Sequence, residues 1–213
     1  MNEHNHNLSN GFVVIFEGMD GTGKTTQMQR ALTKLQQLQY SVTSHRNPGG
    51  TAIGEAIRNA MLAKLPRPPM SDLYMSLAVQ EALIDVVNTD RAQSNVILLD
   101  RSPLSIAAYQ IYGSGINAML GWSHVQEGMD RLRPDLTILY KCTPDVALSR
   151  SKHGGQNIHD YFESKPLDYF KKVHEGYDEA AKRFNAVVID ATQSIDAIHE
   201  QTMQHIMSAI DKP

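Results

Sequence analysis

An apolar run, Phe12-Val13-Val14-Ile15-Phe16, leads almost directly into Gly18-Met19-Asp20-Gly21-Thr22-Gly23-Lys24-Thr25, after which the chain turns amphipathic. The run reads as a strand buried on both faces. Met28, Ala31, Leu32, Leu35 and Leu38 then fall on one side of a helix. Strand, glycine-rich turn and helix in that order, with G-x-x-x-x-G-K-T spacing, make a phosphate-binding loop. A polyphosphate needs backbone N–H donors at close range, and Gly18, Gly21 and Gly23 let the chain curl to provide them. Asp20, Thr22 and Thr26 belong to the same loop and helix start. Lys24 offers a point charge for the β- and γ-phosphates, the Thr25 hydroxyl can ligate Mg²⁺, and the helix N-terminus adds its positive end. The loop therefore predicts binding of a nucleoside triphosphate.

The alternation continues along the chain. Strand-like runs at Tyr40 to Ser44, Val96 to Leu99, Leu136 to Tyr140 and Ala186 to Ile189 are separated by helical patterns. Five strands with intervening helices predict an α/β fold, a five-stranded parallel sheet flanked by helices in three layers. In the last helix Ile195, Ile198, Met203, Ile206 and Ile210 share one side. Leu65-Pro66-Arg67-Pro68-Pro69 reads as a surface connection inside one domain covering residues 11–213. Two polar segments are candidate mobile loops: Gly113-Ser114-Gly115, and a lid at about residues 151–160 with Arg150, Lys152 and His153 at its root.

Composition narrows the partners. The chain has 213 residues, 41% hydrophobic and 20% charged, with a net charge of −3. That length supports a sizeable core, and the charge gives no chain-wide attraction to a nucleic-acid polymer or an anionic membrane. No apolar run approaches the roughly 20 residues that span a bilayer. Cys142 is the single cysteine, so no internal disulfide forms, and the expected compartment is the cytoplasm. Residues 1–10 are expected to be a disordered polar tail in which His4 and His6 are solvated.

Two further constellations sit where strands end. Asp100-Arg101-Ser102 follows the third strand, at the sheet edge where open α/β folds place ligands. Asp100 there can hold Mg²⁺, and the planar Arg101 fork suits transferring phosphates. His45-Arg46-Asn47-Pro48-Gly49-Gly50-Thr51 follows the second strand and opens a helix, making a second anion site with Arg46 and Pro48 beside it. Two anion sites on one edge point to a donor and an acceptor that are both phosphorylated.

These segments resemble the thymidylate kinases, a family of nucleoside monophosphate kinases. The resemblance rests on FEGMDGTGKTTQ, HRNPGGTAIGEAIR, DRSPLSIAAYQ, RPDLTILYKCTPDVALSR and DYFESKPLDYFKKVHEGY, in the family's order. It implies ATP-dependent phosphorylation of a deoxynucleoside monophosphate, dTMP to dTDP, with Mg²⁺ as cofactor, in a homodimer. By the same resemblance Asp20 contacts the acceptor sugar 3′-hydroxyl, Arg46 grips the acceptor phosphate, and Arg101 lies between the two substrates beside the metal-linked Asp100. Ser105, Tyr109 and Gln110 line the acceptor pocket, with Tyr109 set against a ribose 2′-hydroxyl. Arg150 lies near the adenine.

The departures from the family are specific. Its base-stacking phenylalanine and base-reading arginine fall in Met75-Ser76-Leu77-Ala78-Val79-Gln80, so Met75 stands near the first, and Val79 or Gln80 replaces the second according to a one-residue gap. Asn47 replaces a glutamate, Ser102 an aromatic residue and Tyr161 an arginine. The family's catalytic arginine is missing from the phosphate loop, and Lys152 is the nearest substitute in the lid. Two other readings stay open. A deoxynucleoside kinase shares these motifs but uses a glutamate base where this chain has Asn47. A nucleotide-binding module without catalysis would explain the missing arginine and the altered base pocket.

Overall fold

The computed structural model describes residues 11–153, 161–162 and 164–211, without the side chains of residues 152 and 153. Five strands, β1 (Phe12–Glu17), β2 (Val42–Arg46), β3 (Val96–Asp100), β4 (Leu136–Lys141) and β5 (Val187–Asp190), form one sheet of order β2-β3-β1-β4-β5. Every pairing is parallel. Among the described residues eight α-helices surround it: α1 (Lys24–Gln37), α2 (Ala52–Leu62), α3 (Pro69–Asp90), α4 (Leu104–Ile106), α5 (Ala118–Leu132), α6 (Pro144–His153), α7 (Leu167–Arg183) and α8 (Ile195–Ile210). A π-helical stretch, Ala107–Gly113, continues α4.

Strand side chains alternate between faces, so β1 feeds two cores. Val14 and Phe16 pack in one with Met28, Ala31 and Leu35 of α1 and with Ile198 and Ile206 of α8. Val13 and Ile15 pack in the other with Leu73, Leu83 and Val87 of α3 and with Val125 and Met129 of α5. The helical stripes read from the sequence hold in the middle and fail at the ends. Leu38, just after α1, and Ile195, the first residue of α8, are exposed.

Parallel register brings the chemistry to one edge. Arg46 is level with Asp100, and Asp100 with Phe16, so the three strand ends and the loop after β1 open on the same side. β1 hydrogen-bonds to β3 on one side and β4 on the other, and the connections leaving this central strand diverge, which creates the crevice.

Two expectations about loops change here. Gly113-Ser114-Gly115 is a fixed helix end: Ser114, Gly115 and Ile116 donate N–H bonds to Tyr109, Ile111 and Gln110, and Gly113 packs on Tyr169 and Val173. Ser151 to His153 complete α6. The rest of the proposed lid, residues 154–160, and the tail, residues 1–10, lie outside the described residues.

Candidate active site

One cleft of about 510 Å³ runs along the sheet edge. Its floor is the phosphate loop: Asp20, Gly21, Gly23, Lys24, Thr25 and Thr26 line it. Gly18 and Thr22 shape the loop from behind. Gly18 has no room for a side chain against the Tyr140 carbonyl, and the buried Thr22 hydroxyl donates to the Met19 carbonyl at 2.8 Å.

Asp20 stands at the centre. Its Oδ1 accepts from Lys24 Nζ at 3.0 Å and from Arg101 Nη2 at 2.8 Å. Burial works to raise the Asp20 pKa, but the two cations outweigh it and hold the carboxyl well below the usual carboxylate range. The loop lysine and the clamp arginine thus converge on one point from two strand ends.

Thr25 Oγ1 donates to Asp100 Oδ2 at 2.6 Å. Asp100 Oδ1 is buried with no hydrogen-bond partner among the described residues, an acceptor lone pair left for a cation. Among the described residues no three His, Cys, Asp or Glu groups converge on a metal position. Asp100 and Thr25 are the residues that would hold a Mg²⁺ here, a cation that proteins bind through one or two carboxylates together with substrate phosphates.

Arg150 lines the cleft and donates Nη1 to the Ala191 carbonyl at 2.6 Å. The side chain of Lys152 lies outside the described residues. Pro48, Ser105, Tyr109 and Gln110 also line the cleft. The wider turn of the π-helical stretch lets the consecutive residues Tyr109 and Gln110 both reach it, a use of π geometry common at functional sites.

Four acceptor residues read from the sequence lie elsewhere. Arg46 is not in the lining: its guanidinium makes a bidentate pair with Glu55, at 2.9 and 2.8 Å through Nη2. Met75, Val79 and Gln80 are not in the lining either, and Ser76 is the α3 residue that faces the cleft. Val79 and Gln80 lie one turn further along α3 and are buried. The Gln80 amide lies close against Gly128 of α5.

Arg58, absent from the sequence reading, does line the cleft. Its Nη1 donates to the Pro48 carbonyl at 2.9 Å. The signal was helical spacing: Arg58 lies four residues after Gly54, which is buried against Gly49 at the start of α2. Phe162 was also missed. It lines the cleft and meets the Tyr109 ring edge-on, with centroids 5.7 Å apart.

A glycine loop between the central strand and α1, a lysine and a metal-type carboxylate over one crevice, and a doubly wound parallel sheet together define a phosphate-loop NTPase fold. The family profile described as thymidylate kinase matches residues 16–202. The thymidylate kinase of Kosmotoga olearia is 32% identical over 203 residues, covering 93% of this chain and 97% of that one. The thymidylate kinase of Synechococcus sp. (strain JA-3-3Ab) is 35% identical over 183 residues, covering 84% and 86%. Among solved structures, thymidylate kinase from Ehrlichia chaffeensis superimposes with a TM-score of 0.73 at 24% identity over 93% of this chain and 99% of that one, a likeness of fold. The chain belongs to the thymidylate kinase family.

Proposed function

We propose that the chain transfers the γ-phosphoryl group of ATP to dTMP, giving ADP and dTDP. The observation that carries this reading is the meeting of Lys24 and Arg101 on Asp20, in a cleft that Arg150 and Arg58 also line. Family membership supplies the substrate pair.

The phosphate of a nucleoside monophosphate is largely dianionic near neutral pH, with a second pKa of about 6. Its oxygen attacks the γ-phosphorus without a general base, while the bond from the γ-phosphorus to the bridging oxygen breaks and its electrons pass to ADP. The protein's task is alignment and charge stabilisation. Lys24 faces the charge that grows on the leaving β-phosphate. Arg101 lies between donor and acceptor, and Arg58 takes the acceptor phosphate in the place expected of Arg46. Asp20 is released from its two cations by the incoming phosphates and is free to accept from the acceptor sugar. Thr25 and Asp100 would hold Mg²⁺, which neutralises the β- and γ-oxygens when bound. Asn47, which also lines the cleft, has no basic oxygen to take a proton from a neutral hydroxyl, which favours a monophosphate acceptor over a nucleoside.

The chain would work on free nucleotides in the cytoplasm. That reading is supported by the net charge of −3, by the buried lone Cys142, and by the finding that no helix among the described residues is long and apolar enough to cross a membrane. The family resemblance also carries the homodimer expectation.

Phosphorus NMR of the purified chain with ATP, Mg²⁺ and dTMP tests the transfer. A β-phosphorus signal from dTDP is expected, and Lys24→Ala should abolish it. Consumption of ATP without dTDP, or undiminished transfer by Lys24→Ala, overturns the reading.

A further inference from the structure

Arg101 is gripped from two sides. On the cleft side Nη2 donates to Asp20 at 2.8 Å and to the Tyr109 hydroxyl at 3.3 Å. On the far side Nη1 donates to the Tyr177 hydroxyl at 2.6 Å and to Ser105 Oγ at 3.2 Å. The Tyr177 and Ser105 hydroxyls are 3.0 Å apart, and Ser105 Oγ lies 3.0 Å from Glu17 Oε2. A guanidinium only donates and an ionised carboxylate only accepts. With Glu17 ionised, the links run from Arg101 to Tyr177, Tyr177 to Ser105 and Ser105 to Glu17.

Glu17 is fully buried and receives three more donors. They are Ser102 N at 2.7 Å, Ser102 Oγ at 2.8 Å and Gly18 N at 3.3 Å. Burial pushes its pKa up, against the pull of Arg101 and the serine donors. Ser102 thus has a specific use: a side chain without a hydroxyl at that position would leave the carboxylate one donor short. Tyr177 reaches the chain because α7 lies hard against the π-helical stretch at Gly176, where a Cβ would stand 2.7 Å from the Ala108 Cα.

The hydroxyl links from Glu17 through Ser105 and Tyr177 end on Arg101, which lines the cleft. Arg101 also holds φ of +74°, a conformation that a residue with a Cβ keeps only where its surroundings over-determine it. We propose that Glu17, Ser105 and Tyr177 form a one-way hydrogen-bond chain that fixes the plane of the Arg101 guanidinium before substrates arrive, making them positioning residues for phosphoryl transfer. Ser102 and Gly18 keep the carboxylate end in place. A preset guanidinium needs no reorganisation as charge develops. The inference rests on the transfer reading given above.

The test is a double-mutant cycle between Tyr177→Phe and Arg101→Ala, read in two ways. In steady-state kinetics Tyr177→Phe should lower kcat by about tenfold or more while leaving KM for ATP within about twofold, since a bond to a charged group is lost at the reacting centre. In the Arg101→Ala background the same substitution should change kcat by less than about twofold. Glu17→Gln, in which an amide donor replaces one acceptor oxygen, should behave like Tyr177→Phe. The second readout is calorimetric titration with inorganic tripolyphosphate, which needs no turnover. Each single variant should weaken binding and the double variant no more than Arg101→Ala alone. Thermal melts verify folding, and Ser105→Ala replaces any variant that fails to fold. Additive effects in both readouts overturn the proposal even where dTMP is phosphorylated. If dTMP is not phosphorylated, the transfer reading fails and the tripolyphosphate cycle alone decides whether the chain positions Arg101.

Discussion

Gly21 and Gly23 have the same φ of +85° but different surroundings, so replacing each by alanine separates backbone strain from steric contact. An alanine in the left-handed region costs about 1–2 kcal/mol, and both variants carry that cost. At Gly23 a Cβ meets nothing within 4 Å. At Gly21 it would stand 2.0 Å from the Ala147 carbonyl oxygen and 3.0 Å from Ser151 N, both backbone atoms of α6. Neither atom can swing aside as a side chain would, so the loop and α6 must separate, adding about 1–3 kcal/mol or more of overpacking. For a domain of this size one kcal/mol moves Tm by about 2–4 °C. Gly23→Ala should therefore lose about 2–8 °C and Gly21→Ala about 4–20 °C. Calorimetric melts of the two variants without nucleotide, under identical conditions, give the comparison. Because α6 carries Arg150, Gly21→Ala should also weaken ATP binding through the donor end. Equal losses of Tm, or a larger loss in Gly23→Ala, would refute the packing of the loop against α6.

Three other expectations follow from the geometry. Asp100→Asn removes the buried acceptor that faces the metal position, so turnover should fall by about a hundredfold or more with little change in Tm, and raising Mg²⁺ should not restore it; full activity at ordinary Mg²⁺ would contradict the assignment. Tyr140 and Thr202 share a buried hydroxyl bond of 2.9 Å; Tyr140→Phe strands the Thr202 hydroxyl and should cost about 1–3 kcal/mol in denaturant melts, while adding Thr202→Val should recover most of it. The depressed Asp20 pKa gives stability that is present above the ordinary aspartate range and lost as pH falls towards the folded value. The Tm gap between wild type and Asp20→Asn should therefore be largest near neutral pH and narrow towards about pH 3; a constant gap would mean that the carboxylate is not paired with Lys24 and Arg101.

What could be read from the sequence was what local chemistry determines. The phosphate loop, the five strands and the Asp100-Arg101 pair each depend on a few consecutive residues, and the structure has them where their pattern puts them. Tyr40 to Ser44 read as the second strand while β2 spans Val42–Arg46, since an edge strand half open to solvent has a blurred apolar boundary. Arg46 and Arg58 could not be told apart from the sequence. Arg46 precedes the Pro48-Gly49-Gly50-Thr51 turn and Arg58 follows it, and the Glu55 carboxylate, bonded to Arg46, leaves the Arg58 guanidinium to line the cleft. Gln80 is buried in α3 and does not line the cleft: helical period gives a face but not a depth, and Gly128 of α5 sits close against its amide. The chain from Glu17 to Ser105 to Tyr177 joins residues far apart in sequence. No local pattern marks it.

The account turns on the acceptor, so its most direct test is kcat/KM for dTMP, dUMP, dCMP, dGMP, UMP and thymidine with ATP and Mg²⁺ under identical conditions. The highest value is expected for dTMP, with UMP disfavoured where Tyr109 lines the acceptor end and thymidine inert for want of a base at Asn47. Turnover of thymidine alone would make the acceptor a hydroxyl and contradict the reading, and no turnover with any acceptor would leave a nucleotide-binding fold that does not catalyse transfer.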